Sequence, residues 1–494
     1  MQAVAGASAA AAGINLPSNP PISLRSSLTH APERLQVRTP KPLSLPPARK
    51  AATQDAPQGP WIVESTAEGN RRIRARLHPG QSAAMKSAAR FTLMLAGSQG
   101  GKTVLGPLWL EREIRLRGAG DYMAVTSTYT LLKQKMLPEF LRLFEQTLKL
   151  GKWSKADRVF TFHDGETRVM FGSATNPESL ESATAKAAWL DEVGQNQFRL
   201  ESWDAVQRRL AINEGRVLLT TTPYNSGWLK SEVYDRATNG DADYRVIQFA
   251  STLNPSFPQA EMARVERTQQ SWKVRMFYKG QFDRPPSAIY PDYIDEYIDR
   301  GGHLVSAKYF PNGIPHWWPR FLGMDFGGSN LAKIYLAQDP MSGVYYAYHE
   351  DLGGNLTVEK HTAQVWQTLA GGMLVGVWGG TKSEEAWRIE FSTKGLLILP
   401  PPVFDVELGI DAVTGLLKER KLLVLDTMRG LRDELGTYSR KMLPDGTVLS
   451  EIEHKNRFHR LDALRYLALG LHGRQSVMPV IAYGVARGPS SRIA

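Results

Sequence analysis

Cysteine is absent from the 494-residue chain. That excludes disulfides, thiol catalysis and cysteine-ligated zinc, and it suits a reducing compartment. Long apolar runs are missing as well: Leu464 to Leu471 is short and is broken by Arg465. No membrane span is expected, and the protein should be soluble. Met1 to Ala12 is rich in alanine but lacks a charged segment followed by a strongly apolar one, so it does not read as a secretory signal. An excess of acid is also lacking. The formal charge is +11, which favours a polyanionic partner without identifying one.

Hydrophobic residues make up 42% of the chain, enough for real cores, and the length exceeds one ordinary domain. Residues 1–58 are rich in Ala, Ser and Pro and are expected to form a disordered arm. Basic residues in this arm, such as Arg25, Arg38 and Lys50, read as a solvated tail, with contact to DNA or a partner as the alternative. The division expected after the arm is a nucleotide-binding domain over 59–284, a Pro-rich linker over 285–319, a second α/β domain over 320–475, and a basic tail over 476–494.

The first of these domains is organised around Phe91 to Thr103, an apolar run ending in Gly97-Ser98-Gln99-Gly100-Gly101-Lys102-Thr103 before an amphipathic segment. This is the strand, loop and helix order of a P-loop. The turn's backbone N–H groups and the helix N-terminus together face phosphates. Lys102 is expected on the β- and γ-phosphates of ATP, and the Thr103 hydroxyl on Mg²⁺. Ala96 stands where the pattern G-x-x-x-x-G-K-[ST] has its first glycine, with Gly97 and Gly100 supplying flexibility. Pro107 lies past the usual first-turn position and is expected to bend the following helix. Upstream, Pro79-Gly80-Gln81 reads as a turn before a helix, and the Gln81 amide can both donate to and accept from an adenine edge.

Ala187 to Glu192 is a second apolar strand, ending in two carboxylates. An isolated Asp-Glu would read as a solvated acidic turn. Downstream of a P-loop, Asp191 suits Mg²⁺ and Glu192 suits polarisation of the attacking water. Val217 to Pro223 is a third strand, ending in Thr220-Thr221-Thr222; these hydroxyls suit γ-phosphate sensing, and β-branched threonine is equally an ordinary strand residue. Strands are also expected at Tyr122–Thr126 and Tyr244–Phe249, a helix from about Thr130 to Leu148, a hairpin of Val159–Phe162 with Arg168–Phe171, and a helix running to about Tyr278. The alternation implies a mostly parallel sheet covered by helices.

Beyond the proline-rich join the pattern changes. Arg320 to Gly327 is a strand ending in a carboxylate. Lys333–Gln338 and Val344–Tyr348 form a hairpin, followed by a helix (Val358–Leu369), a strand (Leu374–Trp378) and a helix carrying Glu384 and Glu385. Near the end, Arg457 to Tyr466 opens one more helix. Three antiparallel strands, a helix and a further strand, with acids at the first strand end, after the fourth strand and on the last helix, make the layout of an RNase H-like nuclease with a mixed sheet. In that layout carboxylates converge on two divalent metals; hard oxygen ligands suit Mg²⁺, with Mn²⁺ also possible.

In this order the motifs resemble those of the large terminase subunit of tailed bacteriophages, an ATP-driven DNA-packaging motor with a fused nuclease. The likeness covers about residues 75–475. It is carried by Leu77 to Gln81, Ala96 to Thr103, Trp189 to Glu192 and Thr220 to Pro223, and in the C-terminal half by Met324-Asp325, Gly379 to Glu384 and Leu461 to Tyr466. The resemblance implies that Asp325, Glu384 and Asp462 are the catalytic metal ligands, with Glu385 a rival for the middle role. It implies double-stranded DNA, a portal protein and a small terminase subunit as partners, and a homo-oligomeric ring on the portal. It also implies a place in the host cytoplasm with transient docking on the procapsid, and absence from the mature virion. The basic tail is a portal contact on this reading, or simply a frayed end. Many relatives have an arginine in the nucleotide loop where this chain has Ser98 and Gln99. The missing arginine must then come from Arg208, Arg209 or a neighbouring subunit. Rival readings are a helicase-nuclease of DNA repair or recombination and a non-catalytic nucleotide-binding assembly protein. Glu192 beside Asp191 speaks against the latter, because binding alone needs no base.

Overall fold

The apolar runs singled out above become the strands of two separate sheets. The computed structural model describes residues 60–65, 71–177, 184–327, 330–354, 356–443 and 446–475. The arm expected over 1–58 and the tail expected beyond 475 lie outside the described residues.

A short antiparallel hairpin of β1 (Trp61–Ser65) and β2 (Arg71–Ala75) leads in. The first sheet then takes β3 (Phe91–Ala96), β4 (Asp121–Thr126), β5 (Gly151–Ser154), β6 (Val159–Phe162), β7 (Arg168–Ser173), β8 (Ala187–Asp191), β9 (Arg216–Thr221) and β10 (Tyr244–Phe249) in the order β10-β3-β9-β8-β4-β7-β6-β5. The run from β10 to β7 is parallel, and β6 and β5 add an antiparallel edge. Strands covered on both faces read as continuous apolar runs, and every residue of β3 and β8 is buried. One face packs on a cluster that includes Trp109, Phe140 and Phe144; the other packs on Trp203, Trp228 and Phe198. The helix Lys102–Arg117 lies close on β8, since a Cβ added to Gly106 would stand 1.9 Å from the Trp189 ring. That contact brings the start of this helix beside the end of the acidic strand.

The helix expected to run to Tyr278 is interrupted. Gln259–Thr268 ends at an extended Gln269, and helical structure resumes at Ser271. Neither Gly nor Pro marks the break, so the residue pattern carries no sign of it.

The second sheet contains β11 (Leu304–Val305), β12 (Arg320–Asp325), β13 (Leu331–Gln338), β14 (Tyr345–Gly353), β15 (Leu374–Gly379) and β16 (Leu422–Leu425), ordered β11-β16-β14-β13-β12-β15. The first three long strands, β12 to β14, are antiparallel, and β15 lies parallel beside β12. This is the RNase H-like arrangement, here extended past β14 by the parallel strands β16 and β11. The β13–β14 hairpin is longer than the sequence indicates, with β14 continuing to Gly353. Segment 285–319 is also more than a strap: Ile289, Tyr290 and Tyr293 are buried in the core of the second half, and β11 joins its sheet. A small hairpin of β17 (Arg440–Met442) and β18 (Val448–Ile452) precedes the last helix, His459–Gln475.

The helix Arg429–Thr437 connects the two halves. The Asp433 carboxylate accepts the Trp228 N–H at 2.6 Å, and Arg429 pairs with Asp204 at 2.9 Å and with Glu232 at 3.0 Å. Among the described residues no helix is long and apolar enough to cross a membrane. The chain is an α/β protein with a mostly parallel P-loop-type sheet and a mixed RNase H-like sheet.

The last helix seats directly on β12. A Cβ on Gly323 would lie 2.2 Å from the Ala463 carbonyl oxygen, and backbone cannot yield as a side chain does. Gly323→Ala is therefore expected to lower the unfolding free energy by about 1–3 kcal/mol, read from urea denaturation. An unchanged midpoint would contradict this seating.

Candidate functional site

The nucleotide loop is shaped by close backbone contacts. Gly97 has no room for a side chain, since a Cβ there would stand 2.2 Å from the Tyr278 carbonyl oxygen. Gln99 and Gly101 take positive φ values of 59° and 77°, which turn the chain into the helix Lys102–Arg117. The Ser98 N–H donates to the Phe277 carbonyl at 2.6 Å, and the Asn254 amide donates to the Gln99 carbonyl at 2.6 Å. The segment after β10 thus holds the outer side of the loop, and the first N–H groups of the helix, which an α-helix leaves without intrahelical acceptors, open its inner side.

Gln81 sits against this loop. Its amide nitrogen donates to the Gly101 carbonyl at 2.9 Å, and its amide oxygen accepts the His78 N–H at 3.3 Å. His78, a residue the motif reading passed over, is held below its ordinary pKa by burial. Its neutral ring accepts the Gln81 N–H at Nδ1 and donates from Nε2 to the Gly100 carbonyl at 3.1 Å. The two side chains brace the loop from below. In this arrangement the Gln81 amide faces the loop backbone.

Lys102 is buried, and its amine is pushed down to about 8 by desolvation. It donates to the carbonyls of Ala96 at 3.0 Å and Gly97 at 2.8 Å, and to the Thr222 hydroxyl at 2.9 Å. Thr103 donates to one Asp191 oxygen at 3.2 Å, and Thr220 donates to the other at 2.6 Å. The Thr220 hydroxyl in turn accepts the Trp189 indole N–H at 3.1 Å, and the Thr221 hydroxyl accepts the Gly194 N–H at 3.0 Å. Because β9 lies between β3 and β8, each of these three threonines reaches a different part of the site: the loop lysine, the acidic strand, and the turn after Glu192. Burial, with Glu192 beside it, pushes Asp191 up to about 6. A buried carboxylate held by two hydroxyls, one of them Thr103, offers hard oxygens of the kind Mg²⁺ takes. Thr103 and Asp191 fit that ion.

Glu192 has a left-handed backbone, with φ 54°. Non-glycine residues adopt this conformation rarely, and it recurs at functional turns. Its side chain accepts from the Tyr224 hydroxyl at 3.2 Å, and Lys135 lies 3.9 Å away. Burial and the Glu192 charge hold the Tyr224 phenol well above its usual pKa, so it remains a donor. Neither Tyr224 nor Lys135 carries a local sequence signal. Arg208 and Arg209 are placed elsewhere: they sit in the last turn of the helix Leu200–Leu210, where the Arg209 carbonyl accepts the Ala185 N–H ahead of β8. Ala185 is six residues before Asp191, about 20 Å along an extended strand. The expectation that either arginine serves the nucleotide in its own chain is corrected by this placement.

In the second half, Asp325 ends β12 and points the same way as Gly323, two residues back, toward the last helix. There it meets His459, with Oδ2 2.9 Å from Nδ1. Burial raises the Asp325 pKa, and the charges of Asp462 and Glu384 add to the shift; the same three carboxylates act on Tyr466. The three acids therefore share one electrostatic neighbourhood. Each is engaged otherwise, however. Asp325 holds His459, Asp462 pairs with the buried Arg465, and Glu384 caps its own turn by accepting the Thr381 N–H at 2.6 Å and the Thr381 hydroxyl at 2.9 Å. Among the described residues no three His, Asp or Glu side chains are gathered closely enough to hold a metal. The donor chemistry fits a hard divalent cation, with Glu384 needing to leave Thr381. Glu385 is exposed and opens the helix Glu385–Thr393.

The fold and the loop define an α/β protein with a P-loop-type sheet joined to an RNase H-like sheet. Residues 93–292 match the family model described as terminase large subunit, T4likevirus-type, N-terminal, so the resemblance carried by the motifs is met again in the first half. Among solved structures, a large terminase from a thermophilic bacteriophage is 15% identical with a TM-score of 0.39, covering 80% of this chain and 98% of that one. The large terminase of bacteriophage HK97 is 12% identical with a TM-score of 0.43, covering 80% and 95%. The nuclease domain of the bacteriophage SPP1 large terminase with bound Mn is 19% identical with a TM-score of 0.26, covering 30% and 84%. No curated protein matches the chain.

Thr220→Val keeps the shape of the side chain but removes the hydroxyl shared by Asp191 and Trp189. It is expected to reduce stability by about 1–3 kcal/mol, because buried polar groups lose their partner. Chemical denaturation checks this, and a wild-type midpoint would show that the hydroxyl is not shared.

Proposed function

We propose that this chain is a phage terminase large subunit that hydrolyses ATP in residues 59–284 to drive double-stranded DNA into a procapsid, and cuts concatemeric DNA with residues 320–475. The observation that carries the reading is the run Thr220-Thr221-Thr222, which joins Lys102, Asp191 and the turn after Glu192.

On this reading Lys102 moves from the Ala96 and Gly97 carbonyls to the phosphate oxygens of ATP, and Thr103 and Asp191 hold Mg²⁺. That ion, when bound, would supply charge neutralisation to the nucleotide phosphates. Glu192, oriented by Tyr224, takes a proton from the attacking water. Loss of phosphate lets Lys102 return to Thr222, and the β9 end passes that change to the segments it touches. In the second half, Asp325, Glu384 and Asp462 would hold divalent ions, Mg²⁺ or Mn²⁺, which supply water activation and stabilisation of the leaving oxygen. DNA is held mainly through its phosphates, so affinity falls steeply with salt. The partners are a portal protein and a small terminase subunit, with copies of this chain forming a ring on the portal in the host cytoplasm.

Lys102→Ala is expected to abolish ATP hydrolysis, measured as phosphate release. Asp325→Asn or Asp462→Asn is expected to abolish metal-dependent plasmid cleavage while hydrolysis continues at the wild-type rate. Loss of both activities in every variant, with folding preserved, would refute two separate sites. Packaging by purified procapsids and ATP, scored as DNase-protected DNA, separates this function from that of a helicase-nuclease.

A further inference from the structure

The nucleotide loop has Ser98 and Gln99 and no arginine, and Arg208 and Arg209 lie at the other end of β8. Hydrolysis nevertheless requires positive charge where the γ-phosphate develops its own charge, and in phosphate-transfer sites an arginine commonly supplies it. A different cation stands beside Glu192. Lys135 projects from the helical turn Leu132–Met136, in the segment that follows β4, and its amine is 3.9 Å from Glu192 Oε1. Leu132 and Met136 of the same turn are buried, which anchors it, while the Lys135 side chain is 53% exposed. The charge is therefore held near the carboxylate by an anchored backbone and is free to move at its tip. The neighbouring cations are used otherwise: Lys133 and Arg158 both lie over the Tyr129 ring, at 4.9 Å and 4.6 Å. As a plain surface ion pair, Lys135–Glu192 would contribute little to stability.

We propose that Lys135 is a catalytic residue of the ATPase site, moving from Glu192 to the γ-phosphate oxygens when ATP binds and neutralising their charge in the transition state. The inference rests on the ATPase reading above. It also gives the base a control. Without nucleotide, Lys135 occupies one side of Glu192. The triphosphate carries more negative charge than the carboxylate and draws the lysine away, which frees Oε1 for water. In the step that follows, the water oxygen bonds to the γ-phosphorus, its proton passes to Glu192, and the bond to the β-phosphate oxygen breaks, leaving ADP and phosphate. Lys102, fixed in the loop, serves the β–γ side, and Lys135 approaches from the side of the base. Two lysines and two carboxylates thus share the cleft.

The test uses the full-length protein as wild type, Lys135→Ala and Lys135→Arg, comparing steady-state ATP hydrolysis with binding of ATP-γ-S and of ADP with aluminium fluoride. Lys135→Ala is expected to lower kcat about 100-fold, the scale on which a transition-state charge donor acts. Its ATP-γ-S affinity should stay within about threefold of wild type, because on binding the lysine exchanges its carboxylate contact for a phosphate contact, and its net gain comes as charge develops in the transition state. Binding of the aluminium fluoride complex should be lost, and Lys135→Arg should restore both properties. Wild-type turnover in Lys135→Ala overturns the proposal alone. So does an arginine variant as slow as the alanine one, or equal loss of both analogues, since either outcome makes the lysine structural. A wild-type protein that hydrolyses no ATP overturns the parent reading as well.

Discussion

Strand β9 is inserted between the strand that ends in the nucleotide loop and the strand that ends in Asp191, and the rest of the first half depends on that position. A strand there must offer a polar group to each neighbour at its exit end, because one flanking strand leads into the loop of the buried Lys102 and the other ends at the buried Asp191. Thr220 and Thr222 do so, toward Asp191 and Lys102, and Thr221 secures the turn that holds Glu192. Threonine suits the position twice over: its branched carbon packs in a buried parallel strand, and its hydroxyl both donates and accepts. Lys102, Asp191 and the turn after Glu192 are thereby joined through one strand end.

The second half shows a different economy of charge. Its three acids lie close enough to raise the Asp325 pKa, yet each is satisfied locally, by His459, Arg465 or the Thr381 turn. Buried carboxylates without a cation need such partners. On the nuclease reading proposed above, acids engaged in this way would come together only when metal and substrate displace these partners. The helix Arg429–Thr437 stands between this centre and the first. It receives Trp228 from the segment after β9, and its Glu434 accepts the Leu461 N–H one residue before Asp462. Adjacent acids of this helix therefore accept hydrogen bonds from both halves.

The strands that build the nucleotide site were legible because parallel strands buried on both faces leave uninterrupted apolar runs, and each run here stops at the residue that matters. The order of β12 to β15 was legible for the same reason, with alternation and a proline-glycine turn marking the hairpin. The helix Arg429–Thr437 was not. Arg432, Asp433 and Glu434 are three successive charged residues with no local motif, and tertiary partners such as Asp295 and Arg460 make them buried residues. The helix Val406–Lys418 runs through Gly409, a poor helix former, whose small size accommodates Arg465. Glu384 illustrates an ambiguity of local motifs: Thr381 and Glu384 are spaced as a capping box, and the same acid read as a ligand from its place after the fourth strand. Lys135 and Tyr224 carry no local pattern, because what distinguishes them is proximity to Glu192 across the fold.

The central claim is that one polypeptide holds a nucleotide centre at Lys102, Thr103 and Asp191 and a separate divalent-metal centre at Asp325 and Asp462. A crystal structure grown with ATP-γ-S and Mn²⁺, with anomalous scattering to locate the manganese, tests it most directly. The account expects one manganese beside Thr103 and Asp191 on the nucleotide phosphates, with Lys102 drawn off the Gly97 carbonyl, and another between Asp325 and Asp462 with Glu384 released from Thr381. Nucleotide bound away from the Gly97–Thr103 loop, or manganese absent from the two aspartates of the second half, would contradict it.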